Sequence, residues 1–336
     1  MTTAHIILWR MRRAAAAAAV CLAASALAQT LDTVRAVGAR EGAIVVRDAR
    51  GAFRPIAAGG AGRALPVWSP DGGAIAFVQR ADRRRALSDL VVTDGSGHER
   101  VRVAIEPVRD DIAYAGMRHV EELRWLDAGH VAVRGSLNPS QSQYYVVDIS
   151  TGRTVAEFID DASAAAFHGT SVAYQTGAPH FASADRRAAV IWVDGQQVYP
   201  LAGSASRFEF PLAPRWSADG RSLAWLARDV AATVQMLVVW RDGAIREHPV
   251  ALAPDDEPLL FWSDGRWVLK ARGRAWATDP EALALAPLPA AQAVDPLAEA
   301  AELRARLATQ ARAAGVVEPD FWCADCPLQR LPRRSD

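Results

Sequence analysis

An aromatic residue followed by Asp-Gly, usually with a serine between them, recurs along the chain, each time ahead of a short apolar run. Trp68-Ser-Pro-Asp-Gly72 precedes Ala74 to Val78, and Trp216-Ser-Ala-Asp-Gly220 precedes Ser222 to Ala227. Trp262-Ser-Asp-Gly265 precedes Trp267 to Ala271, and Trp125-Leu-Asp-Ala-Gly129 precedes His130 to Val133. A degenerate copy, Phe167-His-Gly-Thr170, precedes Ser171 to Gln175. The aromatic positions are 57, 42, 49 and 46 residues apart. Asp-Gly between two strand-like runs marks a tight turn, because glycine accepts positive φ without steric cost.

A second marker runs in phase with the first. Apolar runs end at Asp48, Asp94, Asp148, Asp194, Asp242 and Asp279, spaced by 46, 54, 46, 48 and 37 residues. Each period therefore supplies four short strands. Four antiparallel strands at a period in the forties make a propeller blade. Helical periodicity is absent from residues 40 to 290. The expected fold is all-β: a six-bladed β-propeller with a short C-terminal helix and tail.

The ends of the chain read differently. Residues 1–28 have the form of a signal peptide: Arg10, Arg12 and Arg13, an apolar run from Ala14 to Leu22, and Ala26-Leu27-Ala28 before Gln29. The apolar run is too short for a membrane span, so no span is expected in the mature form, and the expected location is periplasmic or secreted. Residues 29–290 are assigned to the propeller and residues 291–336 to a C-terminal helix and a cysteine-containing tail. Removal of the leader takes three arginines and no acid from a chain with 38 basic and 38 acidic residues, leaving a formal charge of −3. That balance excludes a dedicated nucleic-acid binder.

The second marker has six copies and the first only five, so the first blade lacks an innermost strand. Phe321-Trp-Cys-Ala-Asp-Cys326 matches the Phe261-Trp-Ser-Asp-Gly265 pattern. Residues 316–322 are expected to supply that strand and close the ring, since an open edge invites aggregation. Between residues 295 and 314, Leu297, Leu303 and Leu307 predict a surface-packing helix. Cys323-Ala-Asp-Cys326 lacks the following His of a haem site, where Pro327 stands, and the four ligands of a zinc site. A structural Cys323–Cys326 disulfide is the favoured reading.

Trp-Ser-Pro-Asp-Gly before Ala-Ile-Ala-Phe resembles the WD40-like repeat of TolB-type propellers, and the dipeptidyl-peptidase IV N-terminal-like propeller, over roughly residues 40–290. The resemblance implies the fold and an exported interaction module. It does not bring peptidase activity, because no Gly-x-Ser-x-Gly elbow occurs in the chain. Turn formation accounts for the aspartates, and inter-blade packing for the eleven tryptophans.

No metal-ligand spacing links the histidines, and only Glu121 and Glu122 offer oxygen ligands on the inner-strand segments. No cofactor and no catalytic residue is expected. The long loops mix arginine with aromatics, as protein interfaces do. The candidate partner-binding residues are Arg109, Asp110, Asp111, Tyr114, Arg118 and His119 on the first loop. His180 and Arg187 lie on a second, and Arg207, Phe208 and Glu209 on a third. The expected partner is an envelope protein or peptide. The alternative is an enzyme or small-molecule binder using the central channel through His119, Asp110, Asp111 and Glu122.

Overall fold

A computed structural model describes residues 34–323, apart from 49–50, 58–61, 83–86, 106–116, 118, 139–140, 161–164, 177–188, 201–207, 230–233, 254–255, 280–282, 294 and 296–297. Strands β1 (Arg35–Arg40), β2 (Ala43–Arg47) and β3 (Phe53–Ala57) begin a first blade. Blade 2 is β4 (Arg63–Trp68), β5 (Ala74–Asp82), β6 (Leu87–Asp94) and β7 (Glu99–Ile105). Blade 3 is β8 (His119–Trp125), β9 (His130–Asn138), β10 (Gln141–Asp148) and β11 (Arg153–Asp160). Blade 4 is β12 (Ala166–His168), β13 (Ser171–Thr176), β14 (Val190–Val193) and β15 (Gln196–Tyr199). Blade 5 is β16 (Phe208–Trp216), β17 (Ser222–Asp229), β18 (Val234–Arg241) and β19 (Ala244–Val250). Blade 6 is β20 (Leu259–Ser263), β21 (Arg266–Ala271), β22 (Arg274–Thr278) and β23 (Leu285–Pro287). Helix α1 (Ala298–Ala313) then leads to β24 (Val317–Trp322), which pairs with β1 and completes blade 1. The six antiparallel four-stranded sheets form a six-bladed propeller with a C-terminal helix.

The repeat works because strand side chains alternate between faces. On β17, Leu223, Trp225 and Ala227 pack against blade 4, while Ala224 and Leu226 pack against blade 6. On β5, Ile75 and Phe77 meet blade 1, and Ala74, Ala76 and Val78 meet blade 3. Runs of the middle strands are therefore apolar on both faces, as in Ala74–Val78 and Leu223–Ala227. The Asp-Gly pairs at Asp194, Asp242 and Asp264 have positive φ at both residues, the primed hairpin geometry that matches strand twist.

The antiparallel order sorts the connections onto two rims. One rim carries the turns between first and second strands and between third and fourth strands. The other carries the links between second and third strands and from each blade to the next. The strand ends flanking residues 106–118, 161–165, 177–188 and 201–207 all lie on this second, loop rim.

The closing strand sits where the sequence places one, and it is held from both sides. Along β1 it pairs Arg35 with Trp322 and Ala36 with Phe321. Toward blade 2, Glu318 accepts the Leu65 N–H at 2.7 Å and Asp320 accepts the buried Trp68 N–H at 2.9 Å. Trp322 donates its indole N–H to the Pro70 carbonyl at 3.0 Å and packs on Gly72, where any Cβ would overlap its ring. One detail departs from the repeat. The signature Trp68, Trp125, Trp216 and Trp262 face the preceding blade, whereas Trp322 faces the following one. Strand alternation puts Glu318, Asp320 and Trp322 on one face, and Phe321 takes the signature side.

The helix is more than a surface element. Ala300, Leu307 and Ala311 form its buried stripe. It covers the face of blade 1 that points away from blade 2, through Ala36, Val45, Phe53 and Phe321. Leu288 and Ala293 cover the face of blade 6 that points away from blade 5. The face of blade 1 turned away from blade 2 and the face of blade 6 turned away from blade 5 are thus each covered by residues of the connecting segment. The helix ends in a Schellman motif: Val316 N–H bonds Ala311 O, Gly315 N–H bonds Arg312 O, and Gly315 has φ +72°. That turn delivers Val316 onto Gly38.

Asp320→Ala strips the acceptor from the buried Trp68 N–H, at a cost of about 1–3 kcal/mol. The expected result is a Tm lowered by roughly 2–4 °C per kcal/mol, read by circular dichroism. Ending the chain after residue 314 should lower it much further.

Candidate functional site

The loop rim of blade 3 holds two of the expected residues, His119 and Glu122. His119 opens β8, and its Nε2 lies 3.2 Å from Glu121 Oε1. Arg134 on β9 reaches Glu121 at 3.5 Å and Glu122 at 3.0 Å. His119 and Glu122, assigned above to the channel alternative, thus belong to one ion-paired cluster centred on Arg134. The two carboxylates share the one Arg134 guanidinium, so the cluster presents a polar surface. Among the described residues, no group of three or more His, Cys, Asp or Glu side chains is arranged to hold a metal.

Glu209 lies on β16 and pairs with Arg228 of β17. Phe208 is the first residue of β16. Arg109, Asp110, Asp111, Tyr114, Arg118, His180, Arg187 and Arg207 lie outside the described residues. Cys323 is buried and disulfide-bonded, and its expected partner Cys326 also lies outside them.

How the long loops rejoin the scaffold is not apparent from the repeat. Gln143 is fully buried on β10 and accepts the N–H of Met117 at 3.1 Å. Its amide donates to Glu157 at 2.7 Å. The adjacent Tyr144 points to the opposite face, and its hydroxyl oxygen accepts the N–H of Ala165 at 3.2 Å. Two consecutive residues of one strand therefore pin the ends of two rim loops, the one before β8 and the one before β12. Burial, reinforced by Asp160, raises the Tyr144 pKa and keeps the phenol protonated. Gly135 belongs to the same arrangement, because a Cβ there would overlap Met117. A glycine inside a strand pattern is the available sequence signal for such close approach. Gln143 carries no such mark.

The inner strands line the axis. Arg215 on β16 is exposed to solvent, yet surrounding protein depresses its pKa, while Asp295 acts to raise it.

The turn aspartates are structural. Asp71 accepts Ser69 Oγ–H at 2.5 Å and Gly73 N–H at 3.0 Å. Asp219 repeats this with Ser217 and Arg221. Hydrogen bonds from Ser96 hold the Asp94 pKa down to about 2, and bonds from Ser150 do the same for Asp148. Gly220 serves twice. It supplies φ +70° and leaves room for His168 of blade 4, as Gly72 does for Trp322.

No helix among the described residues is long and apolar enough to cross a membrane. No protein-family model and no curated protein matches the chain. Among solved structures, the chain is similar to the β-propeller domain of the Trilobed protease from Pyrococcus furiosus, described as having an open velcro topology. The identity is 14% over 76% of this chain and 82% of that one, with a TM-score of 0.43. An acylaminoacyl peptidase matches at 12% identity over 76% of this chain, with a TM-score of 0.41; the match spans 44% of the peptidase. TolB from Acinetobacter baumannii matches at 15% identity over 76% of this chain and 63% of that one, with a TM-score of 0.28. The fold stands on the sheet order described above, and likenesses at these values add nothing about function.

Two outcomes are expected. Gln143→Ala leaves the Met117 N–H buried without an acceptor, at about 1–3 kcal/mol; hydrogen exchange at Met117 should quicken beyond any change in β9. For the turns, a folded pKa near 2 against an ordinary 3.8 means stability that is present above the ordinary value. It is lost as pH falls toward 2. A variant with Asp94→Ala and Asp148→Ala should show a shallower fall in Tm between those limits than the parent chain.

Proposed function

We propose that the protein is an exported, non-enzymatic interaction module of the bacterial cell envelope, binding a protein or peptide through its loop rim. The observation that carries this reading is the asymmetry of the two rims. One is built of short turns whose aspartates and glycines are consumed in holding the turn. The other bears the long connections, rich in arginine and aromatics, with two stems fixed by Gln143 and Tyr144. Rigid stems lower the ordering cost of a binding loop. The ion-paired cluster of His119, Glu121, Glu122 and Arg134 supports a polar contact surface beside them.

The test replaces Arg118, Arg207 and Phe208 together by alanine. Cross-linking in the periplasm, followed by mass spectrometry, should yield a dominant partner with the parent chain and lose it with the triple variant. Truncation of an interface anchor costs about 2 kcal/mol or more, so the loss should be close to complete at unchanged Tm. Retained capture refutes the placement. Arg215, exposed on the inner strand β16, would be the cation of a second reading, an anionic small molecule in the channel. A thermal-shift screen with anionic metabolites that raises the Tm of the parent chain, but not of Arg215→Ala, would support it.

A further inference from the structure

We propose that helix α1 and strand β24, residues 298–323, form an exchangeable clasp, which can leave the rest of blade 1 as a unit and be replaced by the same segment of a second copy of this chain. The clasp closes blade 1 without belonging to it in sequence. The apolar partners of α1 and β24 outside the clasp lie on blades 1 and 2: Leu303 and Leu307 share a cluster with Ala36 and Phe53, Ala311 with Val45, and Trp322 with Val37 and Trp68. The clasp's polar ties, from Glu318, Asp320 and Trp322, also run to blade 2. The residues that precede the clasp stay with blade 6, through Leu288 N–H to Ala275 O at 2.8 Å and Lys270 Nζ to Ala293 O at 3.2 Å.

The identity of the occupant follows from complementarity. Without the clasp, β1 presents a bare edge that must be paired. The surface beside it is shaped for this segment: Gly38 has room for Val316 only because it lacks a Cβ, and Leu65 and Trp68 offer N–H groups spaced for Glu318 and Asp320. A second copy supplies every one of those groups in the same register, and exchange of an identical element is a low-cost route to a dimer.

The Gly38–Val316 contact provides the test. A Cβ built on Gly38 stands 3.6 Å from Val316 Cβ, within the range that a disulfide spans. Gly38→Cys in one chain clashes with its own Val316, but fits the Val316→Cys of another. The two single variants are prepared as the mature chain, mixed, incubated and oxidised. The expected product is a covalent dimer bridged between the two substituted positions, formed in the mixture and absent from either variant alone. The double variant should bridge internally as a monomer. Internal bridging in the double variant with no bridged dimer in the mixture overturns the proposal. If Gly38→Cys does not fold alone, hydrogen exchange on the unsubstituted chain decides. β1, α1 and β24 must exchange together and faster than β9 and β10; protection of β24 equal to that of β9 overturns it.

Discussion

The ring depends on one strand that comes from the wrong end of the chain. Every other blade is a run of four consecutive strands, but blade 1 is finished by Val317–Trp322. A sheet edge left unpaired exposes donors and acceptors. The tail meets that demand twice over, with its backbone along β1 and with its alternate side chains on β4. Period-2 geometry makes this possible. Glu318, Asp320 and Trp322 share the face toward blade 2, while Phe321 shares the face toward the helix.

The same geometry explains why the repeat tolerates so much sequence drift. What each blade must keep is a middle pair of strands apolar on both faces and a turn that accepts positive φ. Gly72 and Gly220 are doubly constrained, because a neighbouring blade's ring occupies the place of their missing Cβ. Gly265, with open space around it, is constrained by conformation alone.

Much of this was legible beforehand, for identifiable reasons. Two markers in phase gave the blade count, and the missing first copy pointed to the tail. The helix was legible as a helix but not as the cover of blade 1, because its apolar stripe says nothing about which surface it meets. The sidedness of Trp322 was misaligned by one residue; the motif match set Trp322 against Trp262, whereas the facing pattern sets Phe321 there. Gln143 has no sequence signature, because a buried amide beside the apolar run Tyr144–Val147 is distinguished only by its partner, a loop backbone N–H. The rim residues between 109 and 118 and between 180 and 207 are marked in the sequence by composition alone, which identifies a type of surface and no geometry.

Arg35 and Trp322 are paired neighbours at the turn rim. The polypeptide therefore enters and leaves the ring at nearly the same point, on the rim opposite the long connections. This gives the disc a built-in polarity. Any anchor, spacer or fused domain attached before residue 34 or after residue 323 departs from the underside. A ring tethered that way holds its long-loop face outward, clear of whatever carries it, and two attachments at once would not have to straddle the disc.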